Sequence, residues 1–187
     1  GEIALCTLSG INLGEINQLE DIKEPAELIV RALDALLDYQ DYPVIAAKNG
    51  SMKRRTLGIG VINYAYYLAK NGTKYSDPTA LGLTHRTFEA LQYYLLVASN
   101  KLAKEQGACP AFGDTTYSQG ILPIDTYKAD IDAICNEPLQ LDWEALRHDI
   151  KTHGLRNSTL TALMPTETSS QLANATNGIE PPRGLVS

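Results

Sequence analysis

The residues best suited to chemistry lie near the end of this 187-residue chain. Met164-Pro165-Thr166-Glu167-Thr168-Ser169-Ser170-Gln171 follows an apolar run, and the pattern predicts a short helix from Ser169 to Ala175. Hydroxyls and the unpaired N–H groups of a helix start can cradle a phosphate. The same residues also suit an ordinary capped loop, because Ser and Thr are common N-caps. Glu167 would repel a phosphate unless it points away or bonds a hydroxyl. A second reactive group, Cys6, falls in a predicted strand over residues 2–9, on one face with Ala4 and Leu8. Strand cysteines are more often apolar fillers than reactive thiols. No Cys-x-x-Cys partner, adjacent Lys or helix start is present to lower the pKa of Cys6.

Other candidates are weaker. His148 and His153 are five residues apart and do not share a helical face, and His85 is remote, so the expected metal site is none. Capping or surface roles suit all three. Gly58-Ile59-Gly60 lacks the third glycine of a dinucleotide loop and reads as close packing. Lys53, Arg54 and Arg55 read as a solvated basic cluster. Tyr64, Tyr66, Tyr67, Tyr93 and Tyr94 read as straddling core and surface. Cys109 and Cys135 have no supporting neighbours.

These residues need elements to hold them. The periodicity predicts a helix over 25–39, with Leu28, Ala32, Leu36 and Tyr39 on its apolar face. Residues 41–55 read as a basic connection, followed by a helix over 56–70 closed by Asn71-Gly72. The longest helix is predicted from Thr84 to Gln106, burying Phe88, Leu91, Leu95, Ala98 and Leu102. Residues 108–126 read as a loop, and shorter helices follow at 127–135 and 143–152. Asp142 caps the latter and Gly154 stops it. Leu160 to Met164 reads as a buried strand. Strands separated by helices suggest part of an α/β architecture.

The bulk properties narrow the class. A formal charge of −6 argues against broad binding to nucleic acid or anionic membranes. No apolar run approaches the roughly 18 residues needed to span a bilayer, and the first residues lack signal-peptide features. Three distant cysteines make no disulfide framework and suit a reducing compartment. The chain reads as a segment of something longer, without an initiator Met at Gly1 or a closing signal over Arg183-Gly184-Leu185-Val186-Ser187.

Five segments carry a resemblance. They are residues 2–9, 31–43 and 54–63, Thr152-His-Gly-Leu-Arg-Asn-Ser158, and Ala162-Leu-Met-Pro-Thr-Glu-Thr-Ser-Ser-Gln171 continuing through Asn174-Ala-Thr-Asn-Gly-Ile-Glu-Pro-Pro-Arg183. In one register over essentially the whole chain, they resemble the large (alpha, catalytic) subunit of bacterial class I ribonucleoside-diphosphate reductases. The resemblance implies an α/β fold, a predominantly helical fragment of the family's ten-stranded α/β barrel. Residues 1–187 would be a partial catalytic barrel domain, the C-terminal part of the barrel, with no separate second domain.

The implied activity converts ribonucleoside diphosphates to 2′-deoxyribonucleoside diphosphates by thiyl-radical chemistry, with oxidation of a cysteine pair. By resemblance, Cys6 matches one redox-active thiol, its partner lying outside the chain. Pro165, Thr166, Glu167, Thr168 and Ser169 match the loop that holds the substrate diphosphate. The radical-bearing cysteine, in an Asn-x-Cys-x-Glu pattern, would precede Gly1, and a receiving tyrosine pair would follow Ser187. The segment alone would therefore be inactive.

The parent would need a small radical-generating metallo-subunit and a thioredoxin- or glutaredoxin-type reductant. ATP and dNTP effectors would bind outside this segment, and the large subunits would form a homodimer. The parent would be a cytoplasmic, allosteric enzyme of deoxyribonucleotide biosynthesis for DNA replication, without nucleic-acid or membrane partners. Cys109 and Cys135 match no functional cysteine of the family. The rival reading is a non-enzymatic helical nucleotide-binding or interaction module derived from the same barrel.

Overall fold

A computed structural model describes residues 1–184; Leu185, Val186 and Ser187, the end of the stretch read as lacking a closing signal, lie outside the described residues. Two parallel strands, β1 (Thr7–Asn12) and β2 (Leu57–Ile62), pair from Thr7↔Leu57 to Asn12↔Ile62. Residues 159–162 run parallel along the other edge of β2. There Leu57 N donates to Thr159 O (3.1 Å), Ile59 N to Leu160 O (2.8 Å) and Ala162 N to Ile59 O (3.2 Å). The predicted strand at 160–164 is thus a short parallel neighbour of β2, tied by one bridge at Thr161.

The predicted helix over 56–70 is corrected by the fold. Its first half is β2, fully buried, and only Tyr64–Lys70 is helical, as α3. The reason lies in Leu57-Gly-Ile-Gly-Val-Ile62: β-branched side chains favour a strand, and two glycines weaken a helix. The supposed basic connection contains a helix, α2 (Ile45–Arg54), ended by Arg55 in the left-handed region at φ 48°. β1 starts and ends later than the predicted strand over residues 2–9. Cys6 immediately precedes it.

Helices cover one face of the sheet. α1 (Lys23–Tyr39) lies between β1 and β2 in the chain, and α4 (Pro78–Gln106) lies between β2 and the 159–162 segment. The two pack together over Ile11, Leu57, Ile59 and Val61, all buried. Burying a side chain of this size stabilises by roughly 1.5–3 kcal/mol. α4 begins earlier than predicted because Pro78 suits a first-turn position, and it ends at Gly107 at φ 85°. Leu91, Leu95, Ala98 and Leu102 are buried as predicted, and Phe88 is half-buried.

In α1 the buried face is not the predicted one. Ala26, Val30, Asp34 and Leu37 face inward, whereas Leu28, Leu36 and Tyr39 are exposed. A carboxylate at position 34 reads as surface until its buried partner, Arg55, is seen. Residues 127–135 hold a 3-10 turn (Ala129–Ala133) rather than an α-helix. α5 (Trp143–His153) agrees with prediction, with Asp142 accepting from Ala145 N and Gly154 ending the helix. The last helix, α6 (Glu167–Leu172), starts two residues before the predicted Ser169.

Candidate functional site

Parallel strands carry binding groups at their carboxyl ends, and here those ends meet. β1 closes at Asn12 and β2 at Ile62, and the 159–162 segment leads through Met164 into residues 165–169. On the sheet face away from α1 and α4, two glycines leave room. A Cβ on Gly58 would sit 2.7 Å from Cys6 Sγ and 3.1 Å from Ala162 Cβ. A Cβ on Gly60 would overlap the Ala162 carbonyl oxygen and approach Met164 Sδ within 2.9 Å. Cys6, Leu8, Ala162 and Met164 therefore share one glycine-floored face.

Cys6 is exposed and free, and partial burial pushes its thiol up. Such a thiol suits hydrogen donation better than immediate nucleophilic attack. Cys109 is buried and also raised by desolvation, and Cys135 lies outside this face at half-burial.

The 165–169 loop has two kinds of residue. Thr166 is buried and committed to the fold: its N and Oγ1 both donate to Asn177 Oδ1, at 2.9 and 2.7 Å. Its Oγ1 also accepts from Gly178 N at 2.7 Å. Pro165, Glu167, Thr168 and Ser169 are exposed. Ser170 N donates to Thr166 O at 2.8 Å, which closes the first turn of α6. The amides of Glu167, Thr168 and Ser169 precede that bond and have no intrahelical acceptor. Ser169 Oγ donates back to Thr166 O at 3.1 Å. A cleft of about 290 Å³ opens beside the loop, lined by Val61, Met164, Pro165, Asn177, Gly178 and Glu180.

Other sequence candidates fall elsewhere. Lys53 and Arg54 pair with Glu2 at 3.1 and 3.0 Å, but Arg55, expected on a solvated face, is buried against Asp34 and Asp38. His148 and His153 are exposed on α5, and His85 is half-buried on α4 with Nε2 unpartnered. Tyr64 and Tyr67 are buried, Tyr66 is exposed, and Tyr93 and Tyr94 are half-buried. Among the described residues no group of three or more His, Cys, Asp or Glu could hold a metal ion. No described helix is long and apolar enough to cross a membrane.

The chain matches the family described as ribonucleotide reductase, barrel domain, over residues 1–187. It belongs to that family. It is 72% identical to the ribonucleoside-diphosphate reductase subunit alpha of Haemophilus influenzae over 187 residues, which is all of this chain and 25% of the relative. It is 77% identical to ribonucleoside-diphosphate reductase 1 subunit alpha of Escherichia coli over 151 residues, 81% of this chain and 20% of the relative. The Helicobacter pylori subunit alpha is 36% identical over 191 residues, covering 97% of this chain and 23% of that relative. The chain spans about a quarter of the length of the reductase subunits it matches.

Asn63 and Asn177 in this reductase segment are connectors that the sequence reading missed. Asn63 was absorbed into a supposed helix. Asn177-Gly178 carries a visible turn signal, but not its long-range partner Thr166.

Proposed function

We propose that this segment is part of the catalytic barrel of a ribonucleoside-diphosphate reductase large subunit. It supplies one redox thiol and the loop for the substrate diphosphate. Residues 1–187 form one portion of the ten-stranded barrel, with no separate second domain. The carrying observation is the shared face: Cys6 Sγ meets the same Gly58 position as Ala162, two residues before Met164 and the loop.

In this reading the free amides of Glu167, Thr168 and Ser169 and the hydroxyl of Thr168 donate to the diphosphate, and the Ser169 hydroxyl joins them by turning from the Thr166 carbonyl. Pro165 and Thr166 shape the loop, and exposed Glu167 points away from the phosphates. The nucleotide then lies over the glycine floor with its ribose toward Cys6. Replacing the 2′-hydroxyl by hydrogen, with release of water, requires two electrons and two protons. Cys6 and a partner thiol outside the segment supply both and become a disulfide, which a thioredoxin- or glutaredoxin-type dithiol reopens by exchange.

The radical that starts the reaction comes from a small metal-containing subunit. The large subunit works as a cytoplasmic homodimer whose ATP and dNTP effectors bind outside these residues. The names of the relatives and the match over the whole chain support this reading against a non-enzymatic module.

The test is substrate binding to the complete large subunit. Thr168→Ala and Ser169→Ala should each weaken ribonucleoside-diphosphate binding by about 1.5–3 kcal/mol, the worth of a charge-assisted hydrogen bond. An unchanged dissociation constant in both variants would remove the loop from the site.

A further inference from the structure

Asn63 stands directly after β2 in the left-handed region, at φ 68°, and is 8% exposed. Left-handed backbone favours Gly, with Asn among the few tolerated alternatives. Conformation alone would be satisfied by glycine. The amide side chain does more, because both of its ends are used. Asn63 Nδ2 donates to Asn12 Oδ1 at 3.0 Å, and Asn12 Oδ1 also accepts from Gly14 N at 3.0 Å. Asn63 Oδ1 accepts from Thr176 N at 3.0 Å and Thr176 Oγ1 at 3.4 Å. The backbone adds Asn63 N to Thr176 O at 2.9 Å and Tyr64 N to Gly178 O at 3.3 Å.

The chain of bonds continues to the loop. Asn177 Oδ1 accepts from both donors of Thr166, and Gly178 N donates to Thr166 Oγ1. The Thr166 carbonyl then takes Ser170 N and Ser169 Oγ, which sets the first turn of α6. One buried side chain thus joins the end of β1, the end of β2 and the 176–178 turn, and that turn holds the root of the 165–169 loop. Donors presented to an anion gain from being held in place before it arrives.

We infer that Asn63, acting through the 176–178 turn and Asn177, is a positioning residue that presets the loop for the substrate diphosphate. The inference rests on the diphosphate reading of that loop. Asn63 touches no substrate. Its effect reaches the phosphates through Thr166.

Asn63→Gly, made in the complete large subunit, separates the two properties, since it keeps the left-handed backbone and removes only the amide. Its dissociation constant for a ribonucleoside diphosphate should rise roughly tenfold, a change of about 1.4 kcal/mol. Binding of the same nucleoside without phosphates should stay within twofold. General loosening of the barrel would weaken both ligands alike and would overturn the proposal, as would unchanged diphosphate binding. Asn177→Ala, on a half-buried turn residue, gives a second reading should Asn63→Gly not fold: it must show the same selective loss, and its absence overturns the proposal. Thr168→Ala and Ser169→Ala, run in parallel, distinguish the two failures. If they weaken diphosphate binding while Asn63→Gly and Asn177→Ala do not, only the positioning role falls. If they too leave it unchanged, the diphosphate loop itself is refuted.

Discussion

Arg55 grips Asp34 with two prongs inside the helix–sheet seam, Nε to Oδ1 at 2.6 Å and Nη2 to Oδ2 at 2.8 Å. Both residues are buried. Arg55 Nη2 also donates to the Asp34 carbonyl, and Asn157 Nδ2 bridges Asp34 Oδ1 and the Arg55 carbonyl, each at 3.0 Å. Arg156 Nε adds a bond to Asp34 Oδ2 at 3.1 Å. The cluster sits where β2 and the 159–162 segment begin, so it ties α1 to the starts of two strands, while the 165–169 loop follows their far ends. A buried pair of this kind gives alignment at a desolvation cost.

Removing one partner leaves the others charged and buried. Asp34→Ala should therefore destabilise the complete protein by about 3–5 kcal/mol. Urea denaturation followed on the barrel's unfolding transition checks this. A loss below about 1 kcal/mol would mean that the cluster contributes little.

Asp38 gives the cluster an acid response. Hydrogen bonding to Arg55 holds its carboxyl below the usual aspartate value, against a smaller opposing effect of burial. A lowered folded pKa means that the contribution is fully present above the ordinary value of 3.8 and is lost as pH falls through the lower, folded one. The wild type should lose stability below about pH 4 more steeply than Asp38→Asn. Because the Asp38 side chain is 54% exposed, the difference should be small. Parallel acid-denaturation curves for the two proteins would contradict it.

The glycine floor predicts an order of harm. A Cβ on Gly60 meets a backbone carbonyl, that of Ala162, which cannot move without breaking the pairing with β2. A Cβ on Gly58 meets the side-chain ends of Leu8 and Cys6 first, and these can turn aside. Gly60→Ala should cost more than Gly58→Ala, with overpacking in the range of about 1–3 kcal/mol. Chemical denaturation midpoints of the two variants decide the order, and a reversed order would refute the close approach.

Cys6 carries the redox prediction. In the complete protein, Cys6→Ser should abolish multi-turnover reduction with a dithiol reductant while leaving nucleotide binding intact. Normal steady-state turnover would exclude the redox role. With its thiol raised by burial, Cys6 in the wild type should also alkylate with a pH midpoint above the free-thiol value of roughly 8.5. A midpoint below that value would contradict the environment described.

Much of the helical layer was legible because periodicity is a local signal. α1, α4 and α5 announce themselves through repeating apolar positions and through Gly107, Asp142 and Gly154 at their ends, although the start of α4 at Pro78 and the buried face of α1 were not legible. β2 was not legible, since a short apolar run looks alike in a buried strand and a buried helix. The 165–169 loop was visible through its hydroxyls and Pro165, but the division of labour within it was not. Thr166 and Thr168 look equivalent in sequence, and only Asn177, eleven residues on, commits one of them to the fold.

By itself, then, the sequence determined which groups are available: a thiol at Cys6, a hydroxyl-rich turn after Met164, and the family pattern that links them. Tertiary structure decided that Cys6, Leu8, Ala162 and Met164 share one face, that Arg55 and Asp34 go inside together, and that Asn63 joins the ends of β1 and β2 to the 176–178 turn. The physical reason is range. Residue type and spacing encode contacts within a few turns of chain, whereas burial of a charge or an amide is tolerable only when a distant partner meets it.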